Sequence, residues 1–243
     1  MTNPKNNSYK NGLLCRLNPD DLALLQPHLE PCALNLRMNL EQAASEITTM
    51  YFLEDGIGSV VARTLGREAE VALIGFEGMT GAALVMGADY AAHECFVQLP
   101  GNAFRIGAEP FKAALSNSPT LRLLLLRYVQ YLNIQTSYTA LINARANLEE
   151  RLARWLLMCD DRVHGGRVVI THEFLALMLG SRRPGVTVGL QVLEGRGFIY
   201  SRRGEVRIRD RSGLLASANG TYGQPEADYV RLLGDIRSSP DLT

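Results

Sequence analysis

The sequence lacks the features that mark membrane proteins and metal-cluster proteins. It has no run of about 18 uninterrupted apolar residues, the length that a membrane-spanning helix needs. Its few cysteines lie too far apart to form a CxxC pair of the kind that binds zinc or an iron–sulfur cluster; they are Cys15, Cys32, Cys95 and Cys159. The polar N-terminus has no apolar segment typical of a signal peptide. We therefore expect a cytoplasmic protein with reduced cysteines, no metal and no membrane contact.

Common catalytic motifs are missing as well. The chain has no Gly-rich phosphate loop, no GxSxG nucleophile elbow and no HExxH zinc motif. The segment GIGSVVARTLG, residues 56–66, contains glycines without the full dinucleotide-binding spacing, and its context predicts a β-hairpin. These absences predict that the protein is not an enzyme, and we expect no cofactor.

The charged residues are distributed unevenly although the formal net charge is zero. Residues 146–209 contain 11 basic and 7 acidic side chains, whereas residues 1–145 contain 11 and 13 and residues 210–243 contain 3 and 5. A basic segment beside acidic ones favours an anionic partner such as nucleic acid. A chance cluster of charges on a solvated surface would give the same count, so the charge alone leaves both interpretations open.

The first half of the chain has the pattern of an antiparallel β-structure. A short helix is predicted from Asp20 to His28, with Pro19 at its start. From Ala33 to Ile106, apolar runs of four to eight residues are separated by glycines, which predicts an antiparallel sandwich or barrel of the jelly-roll type. The triplet Glu54–Gly56 predicts a hairpin turn within it.

A long helix is predicted after this β-region, because no glycine or proline occurs between Thr120 and Asp160. Ser118 and Pro119 provide a cap and a first-turn proline. A helix from Pro119 to Ala144 would be about 39 Å long at 1.5 Å per residue. The sequence predicts a further helix, capped by Asn147 and ending near Asp160.

A mostly apolar seam runs along the long helix and predicts pairing with the same helix of a second chain. The alternative is a helix that packs across its own barrel, and the apolar Leu123 and Leu126 would then help to bury both faces of its first half. The seam consists of Leu121, Leu124, Leu125, Tyr128, Tyr131, Leu132, Gln135, Tyr138, Thr139 and Ile142.

Residues 170–199 predict two helices joined by a tight turn. Thr171 is a good N-cap for the first helix, and Gly180 suits a C-terminal position with positive φ. The second helix begins near Arg182 or Arg183, and its inward residues recur at helical spacing as Val186, Leu190 and Leu193. This pattern is typical of a helix-turn-helix, whose second helix can enter the DNA major groove.

The outward face of the second predicted helix carries residues that can contact DNA. Arg183 could bond guanine, Gln191 could bond adenine or phosphate, and Arg182 suits phosphate. Thr187 and Val188 could contact the methyl group of a thymine. The segment after Gly197 predicts a two-stranded wing with two arginines at its tip, which could lie along phosphates. The predicted DNA-binding residues are Thr171, Arg182, Arg183, Pro184, Thr187, Val188, Gln191, Arg202 and Arg203.

The order of these parts resembles the Crp/Fnr superfamily of bacterial transcription regulators. The resemblance is strongest in LEERLARWLLM, residues 148–158, and in ITHEFLALMLGSRRPGVTVGLQVLEGRGFI, residues 170–199. It implies a cyclic-nucleotide-binding-like sensory β-barrel over residues 1–118, a dimerisation helix over residues 119–145, and a winged helix-turn-helix with a C-terminal tail over residues 146–243. The implied partners are double-stranded DNA and a second copy of the chain, with RNA polymerase as a further candidate.

The chain also departs from the patterns of that family. Arg183 matches the first arginine of the catabolite-activator reading helix, but Pro184 and Val188 replace its glutamate and second arginine, so the operator does not carry over. The candidate effector pocket contains Gly81, Ala82, Ala83, His93 and Glu94, where cyclic-nucleotide binders of the family have a ribose acceptor and a phosphate cation. We expect no cyclic AMP binding through the usual contacts, and the effector stays unknown.

Three other points stay open from the sequence. Cys15 and Cys32 do not reproduce the cysteine cluster of the iron–sulfur branch, and a haem ligand at His28 or His93 is a weak alternative because lone histidines are usually structural. The protein could instead be a small-molecule or redox sensor whose helix-turn-helix contacts a partner protein, although the arginines argue for DNA. A short tail helix, residues 227–236, is expected to pack back on the DNA-binding domain.

Overall fold

The computed structural model describes residues 9–163, 166–202 and 204–235. These residues form two compact units. Unit 1 contains the described parts of residues 1–60, 74–133 and 228–243, and unit 2 contains those of residues 61–73 and 134–227. The division therefore falls inside the long helix and differs from the three consecutive segments expected from the sequence. Among the described residues, no helix is both long and apolar enough to cross a membrane.

Unit 1 begins with short helices whose ends follow local sequence signals. A 3₁₀ turn, Leu14–Arg16, precedes helix α1, Pro19–Leu25, and a second 3₁₀ turn follows at Gln26–His28. The side chain of Asn18 caps α1 by accepting a hydrogen bond of 2.8 Å from the Asp21 N–H. The predicted helix is thus present, but its last turn is 3₁₀ rather than α.

Two antiparallel sheets follow, which confirms the predicted β-class. The first has the strand order β1-β7-β3 and the second the order β2-β6-β4-β5, with the short helix α2, Ala82–Val85, between β5 and β6. The strands are β1 Glu30–Leu34, β2 Asn39–Glu41, β3 Thr49–Leu53, β4 Ile57–Thr64, β5 Arg67–Ile74, β6 Glu94–Leu99 and β7 Gly101–Gly107.

The turn at Glu54–Gly56 does not form a hairpin, so that prediction was wrong. Strand β3 pairs with β7, whereas β4 lies between β6 and β5, and the turn carries the chain from one sheet to the other. Gly56 has φ 81°, and a Cβ there would lie 2.6 Å from the Leu99 carbonyl oxygen. The glycine is therefore needed for the crossing. The segment GIGSVVARTLG does form a hairpin, made by β4 and β5.

Helix α3, Ala108–Asn117, and the first part of helix α4, Pro119–Arg145, complete unit 1. Tyr128 of α4 is fully buried, and its hydroxyl donates to the Met79 carbonyl at 2.9 Å and accepts from the Met79 N–H at 3.0 Å. A buried hydroxyl needs such partners, and they attach the helix to the turn after β5. The long helix thus belongs to the core of its own chain.

This packing corrects the predicted dimer seam. A side chain buried within one chain cannot form the surface that a second chain contacts. Leu121, Leu125 and Tyr128 are completely buried in unit 1, and Ile142 is buried in unit 2. Of the other predicted interface residues, Leu124 and Leu132 pack partly against the unit 1 core, and Tyr138 is half-buried. The alternative of a helix packed on its own barrel is confirmed for the buried positions.

Unit 2 contains the end of α4, residues 61–73 with most of β5 and the end of β4, and a small winged domain. Helix α5, Leu148–Asp160, begins with a capping box in which Asn147 and Glu150 each accept a bond from the backbone N–H of the other. The remaining elements are β8 Arg167–Val169, α6 His172–Met178, α7 Arg183–Gly195, β9 Ile199–Arg202, β10 Glu205–Ile208 and α8 Arg211–Ser217, and the strand order is β8-β10-β9.

The tail helix α9, Gln224–Leu233, packs differently from the prediction. Its residues from 228 onward belong to unit 1 and not to the helix-turn-helix unit. Tyr229 is buried there, donates a 2.9 Å hydrogen bond to the Glu77 carbonyl, and meets the Tyr131 ring edge-on at 4.8 Å. Arg16 donates to the Leu233 carbonyl at 2.7 Å, which caps the end of the helix. Residue 236, the predicted end, lies outside the described residues.

Candidate nucleic-acid interface

The two-helix motif in unit 2 forms where the local signals place it. Thr171 caps α6 by accepting a hydrogen bond of 3.2 Å from the Phe174 N–H. Gly180 has φ 54°, and the next N–H, of Ser181, donates to the Ala176 carbonyl at 2.8 Å. This left-handed turn ends α6 and redirects the chain into α7. The predicted helix-turn-helix is thereby confirmed.

The inward face of α7 fastens the helix to the rest of unit 2. Val186, Leu190 and Leu193 are at most 1% exposed, as their spacing predicted. A Cβ on Gly189 would lie 3.2 Å from Cδ2 of Leu152 in α5, so the glycine permits close packing of α7 on α5. With this face buried, the opposite face of α7 is the one that remains open to a ligand.

The open face of α7 borders a groove of about 620 Å³. Arg182, Arg183, Pro184, Val188 and Gln191 are exposed, and Thr187 is half-buried. The groove brings together five predicted residues, namely Thr171, Arg183, Thr187, Gln191 and Arg202. Its further lining residues are His172, Glu173, Leu190, Glu194, Ser201 and Gly204.

The charged side chains on the two sides of the groove differ in whether they have partners. The guanidinium groups of Arg182 and Arg183 have no hydrogen-bond or ion-pair partner among the residues that the structure describes. On the other side, Arg202 donates to the Tyr200 hydroxyl and lies over the Tyr200 ring, 5.0 Å from its centroid. Glu194 accepts a 2.9 Å bond from the Ser201 N–H and joins the wing to α7.

The wing is formed by β9 and β10. Arg202 is opposite Glu205 in the antiparallel register, and Gly204 has φ 79° in the turn between the strands. The structure therefore confirms the two-stranded hairpin that the sequence predicted after Gly197. The second predicted wing arginine, Arg203, lies outside the described residues, so its role stays a prediction.

Sequence reasoning missed His172, the first residue of α6. Its Nδ1 lies 3.0 Å from Oγ1 of Thr187, which links the first helix of the motif to the second. The two residues are 15 positions apart, so no local pattern could pair them. The one available signal was that His172 directly follows Thr171, the N-cap that the sequence already placed among the DNA-binding residues.

The predicted effector residues lie in unit 1. Gly81 precedes α2 with φ 81°, Ala82 and Ala83 are half-buried in that helix, His93 is exposed, and Glu94 begins β6. The Gly81 N–H donates to the carboxylate of Glu41, and a Cβ on Gly81 would collide with Met50. Burial raises the pKa of the Glu41 carboxyl, and the bond from Gly81 partly offsets this effect.

No group of three or more metal-ligating side chains occurs in the described parts of the chain. His28 ends a 3₁₀ turn and is exposed, as is His93. Neither histidine therefore lies in the enclosed apolar surroundings that a haem would need.

Comparisons with known proteins agree with this geometry. Residues 150–217 match the family model of a Crp-like helix-turn-helix domain. That range begins in α5 and ends with α8, so it covers the whole motif and the described part of the wing. A sequence search of curated proteins finds no significant match.

Several solved structures share the fold over most of the chain. A protein from Eubacterium rectale, assigned to the crp/fnr family of transcriptional regulators, has a TM-score of 0.67 at 18% identity, covering 84% of this chain and 96% of its own. FixK2 from Bradyrhizobium japonicum has a TM-score of 0.65 at 14% identity, with 77% and 96% covered. The c-di-GMP responsive global regulator CLP of Xanthomonas campestris has a TM-score of 0.60 at 16% identity, with 79% and 99% covered.

Proposed function

Since the chain carries a Crp-like helix-turn-helix domain and has the fold of the Crp/Fnr transcription regulators, we propose that it is a dimeric regulator that binds specific sites on double-stranded DNA. One observation carries the proposal. The two arginines at the start of α7 are exposed and lack partners among the described residues, although several neighbouring arginines are held in ion pairs. Unpaired guanidinium groups beside a groove are well placed for phosphates and guanines.

The two arginines have different roles in this proposal. Arg183 lines the groove and contacts a base edge, which provides sequence choice. Arg182 immediately precedes α7, where phosphate groups also meet the N–H groups of a helix terminus. Phosphate contacts add affinity without sequence choice. If the motif instead contacted a partner protein, the arginines would need matching carboxylates there and no salt-dependent DNA affinity would follow.

The test is a binding-site selection from random duplex DNA, followed by affinity measurements at several salt concentrations. We expect an enriched site and an affinity that falls as salt rises, because bound cations release counterions from the phosphates. Fluorescence anisotropy with a labelled duplex measures both properties. Failure to enrich any sequence, together with affinity that does not respond to salt, would remove the proposal.

The dimer in this proposal uses the face of α4 that its own chain leaves open. Leu123 is 51% exposed and Leu126 is 39% exposed, three positions apart on the helix. Two large apolar side chains at such spacing are suited to pairing with the same helix of a second copy. This face is distinct from the predicted seam, whose central residues are buried.

Replacing both Leu123 and Leu126 by glutamate should convert the dimer to a monomer, because four carboxylates would face each other across the pairing surface. Light scattering after size exclusion measures the mass. The matched control is Leu65→Glu, at a fully exposed leucine in the turn between β4 and β5. Retention of the dimer in the double variant would show that another surface is used.

The barrel is proposed to respond to a ligand other than cyclic AMP, or to none. The N–H of Gly81, at the start of α2, already bonds the Glu41 carboxyl group. An added phosphate would meet this acidic group and no arginine on the Gly81–Ala83 segment, and an anion without a cation in a partly buried site is unfavourable. Calorimetric titration with cyclic AMP should therefore detect no binding at this site.

A further inference from the structure

The side chain of Thr187 has its hydroxyl group bonded on two sides. Its Oγ1 lies 3.1 Å from the Arg183 carbonyl oxygen and 3.0 Å from Nδ1 of His172. A carbonyl oxygen can only accept, so the single hydroxyl proton is donated to Arg183. The hydroxyl must then accept from His172, which requires the proton of that imidazole to be on Nδ1.

These two bonds decide which part of Thr187 remains for a ligand. The hydroxyl has no second proton and cannot donate to an acceptor on a base. Threonine is β-branched and adopts one staggered χ1 at a time, so fixing Oγ1 also fixes the methyl group. Thr187 lines the groove between Arg183 and Gln191. Its hydroxyl oxygen keeps one lone pair that can accept a hydrogen bond from a base, and its methyl is the group that can make an apolar contact with a base.

We infer that Thr187 reads the C5 methyl group of a thymine, and that His172 is a positioning residue that holds the threonine in the rotamer for this contact. The inference rests on the proposed DNA-binding function and adds one element of its specificity. Thymine is the natural DNA base that presents a methyl group in the major groove. The contact is apolar, so it distinguishes thymine from the other bases without using a hydrogen bond.

The experiment replaces each thymine of the selected DNA site by uracil, one at a time. This change removes the C5 methyl group and leaves base pairing intact. For the wild-type protein we expect one thymine in each half-site at which uracil weakens binding about fourfold, the effect of burying one methyl group. Binding is measured by anisotropy at constant salt.

Four variants test which side chains cause the weaker binding to the uracil-substituted site, called here the uracil penalty. Thr187→Val keeps a methyl group and lacks the hydroxyl, so the penalty should remain. Thr187→Ser keeps the hydroxyl and lacks the methyl, so the penalty should disappear at that thymine alone. His172→Ala should reduce the penalty by releasing the threonine rotamer, and the double variant His172→Ala, Thr187→Val should restore it, because either branch of valine presents a methyl.

The outcomes separate the inference from the function on which it rests. If no site is selected and binding does not respond to salt, the proposed function fails. If a site binds with salt dependence but no uracil weakens it, the inference fails and the function stands. A penalty that persists in Thr187→Ser would assign the contact to another residue such as Val188, which is 58% exposed, and would also overturn the inference. A positioning role of His172 is refuted if His172→Ala weakens all duplexes equally and leaves the penalty unchanged.

Discussion

Unit 2 contains arginines in two different situations. Arg211 lies between Asp160 and Asp161, with its Nη2 2.7 Å from the Asp161 carboxylate and 2.9 Å from the Tyr222 hydroxyl. Arg196 pairs with Glu149, and Arg167 with Glu205. Arg182 and Arg183 are exposed and have no such partners among the described residues. Of the basic residues in 146–209, Arg182 and Arg183 therefore carry exposed charge, whereas Arg167 and Arg196 are paired with carboxylates of the same unit.

A count of basic residues therefore overestimates the positive charge that is free to bind a partner. Arginine joins α5 to α8 in one place and is exposed without a partner among the described residues in another, and only the position of the carboxylates distinguishes the two. Replacing a paired arginine should change stability, and replacing an unpaired one should change binding. The following substitutions test that separation.

The largest effect is expected from Arg211→Met. The carboxylates of Asp160 and Asp161 are only 16% and 11% exposed, and they would lose their shared cation. We expect a loss of about 2 kcal/mol of unfolding free energy, less than for a fully buried pair because Arg211 is itself 38% exposed. Urea unfolding followed by circular dichroism measures it. Under conditions in which the variant is fully folded, it should bind DNA as the wild type does. A weaker affinity for the selected site under those conditions would contradict the distinction between arginines that act on stability and arginines that act on binding.

The next effect is expected from Arg183→Ala. Loss of one base contact should weaken the selected site about tenfold, equivalent to about 1.4 kcal/mol, while affinity for random duplex changes far less. The urea midpoint should stay the same because the side chain has no partner to lose. The matched control is Arg196→Ala, which removes an equal charge from the C-terminal end of the same helix. Equal discrimination in both variants would remove α7 as the reading helix.

A smaller and different effect is expected from Arg182→Ala. A phosphate contact contributes affinity to every sequence, so selected and random duplexes should weaken by the same factor. The slope of log affinity against log salt should decrease by about 0.9 for each lost contact. Anisotropy titrations over a range of salt concentrations give this slope. A change in the ratio between selected and random DNA would assign base reading to Arg182 instead.

The smallest effect is expected from Arg196→Ala as a stability variant. Its guanidinium is about half exposed, and an ion pair in such a position usually contributes less than about 1 kcal/mol. The unfolding free energy should fall by that amount or less, and DNA affinity should hardly change. If Arg196→Ala lost as much unfolding free energy as Arg211→Met, the exposed ion pair of Arg196 and the ion pairs between α5 and α8 would contribute equally to stability, and the contrast drawn here would be wrong.

The sequence predicted unit 2 well because its signals are local. Thr171, Gly180 and the capping box at Asn147 each act within four residues, so a pattern of a few letters identifies them. The order of elements from α5 through the wing follows from such caps and turns. The same kind of signal placed the ends of α4 correctly within one residue.

Unit 1 was less predictable, because the predictions that failed there depend on contacts between residues that are distant in sequence. An apolar stripe on α4 indicates only that a face is covered, and its own core and a second chain would leave the same pattern. The turn at Glu54–Gly56 resembled a hairpin, but whether two successive strands pair depends on β7, which follows some fifty residues later. The tail helix is placed by a hydrogen bond from Tyr229 to Glu77, residues 152 positions apart.

The sequence alone determined the helix-turn-helix and the exposed face of its second helix, because caps, glycine turns and helical spacing act over a few residues. The tertiary structure alone decided which side chains of α4 stay exposed, which arginines are already paired, and that His172 contacts Thr187. These features depend on groups that the fold brings together from distant positions, and burial and ion pairing are properties of that arrangement rather than of any short segment.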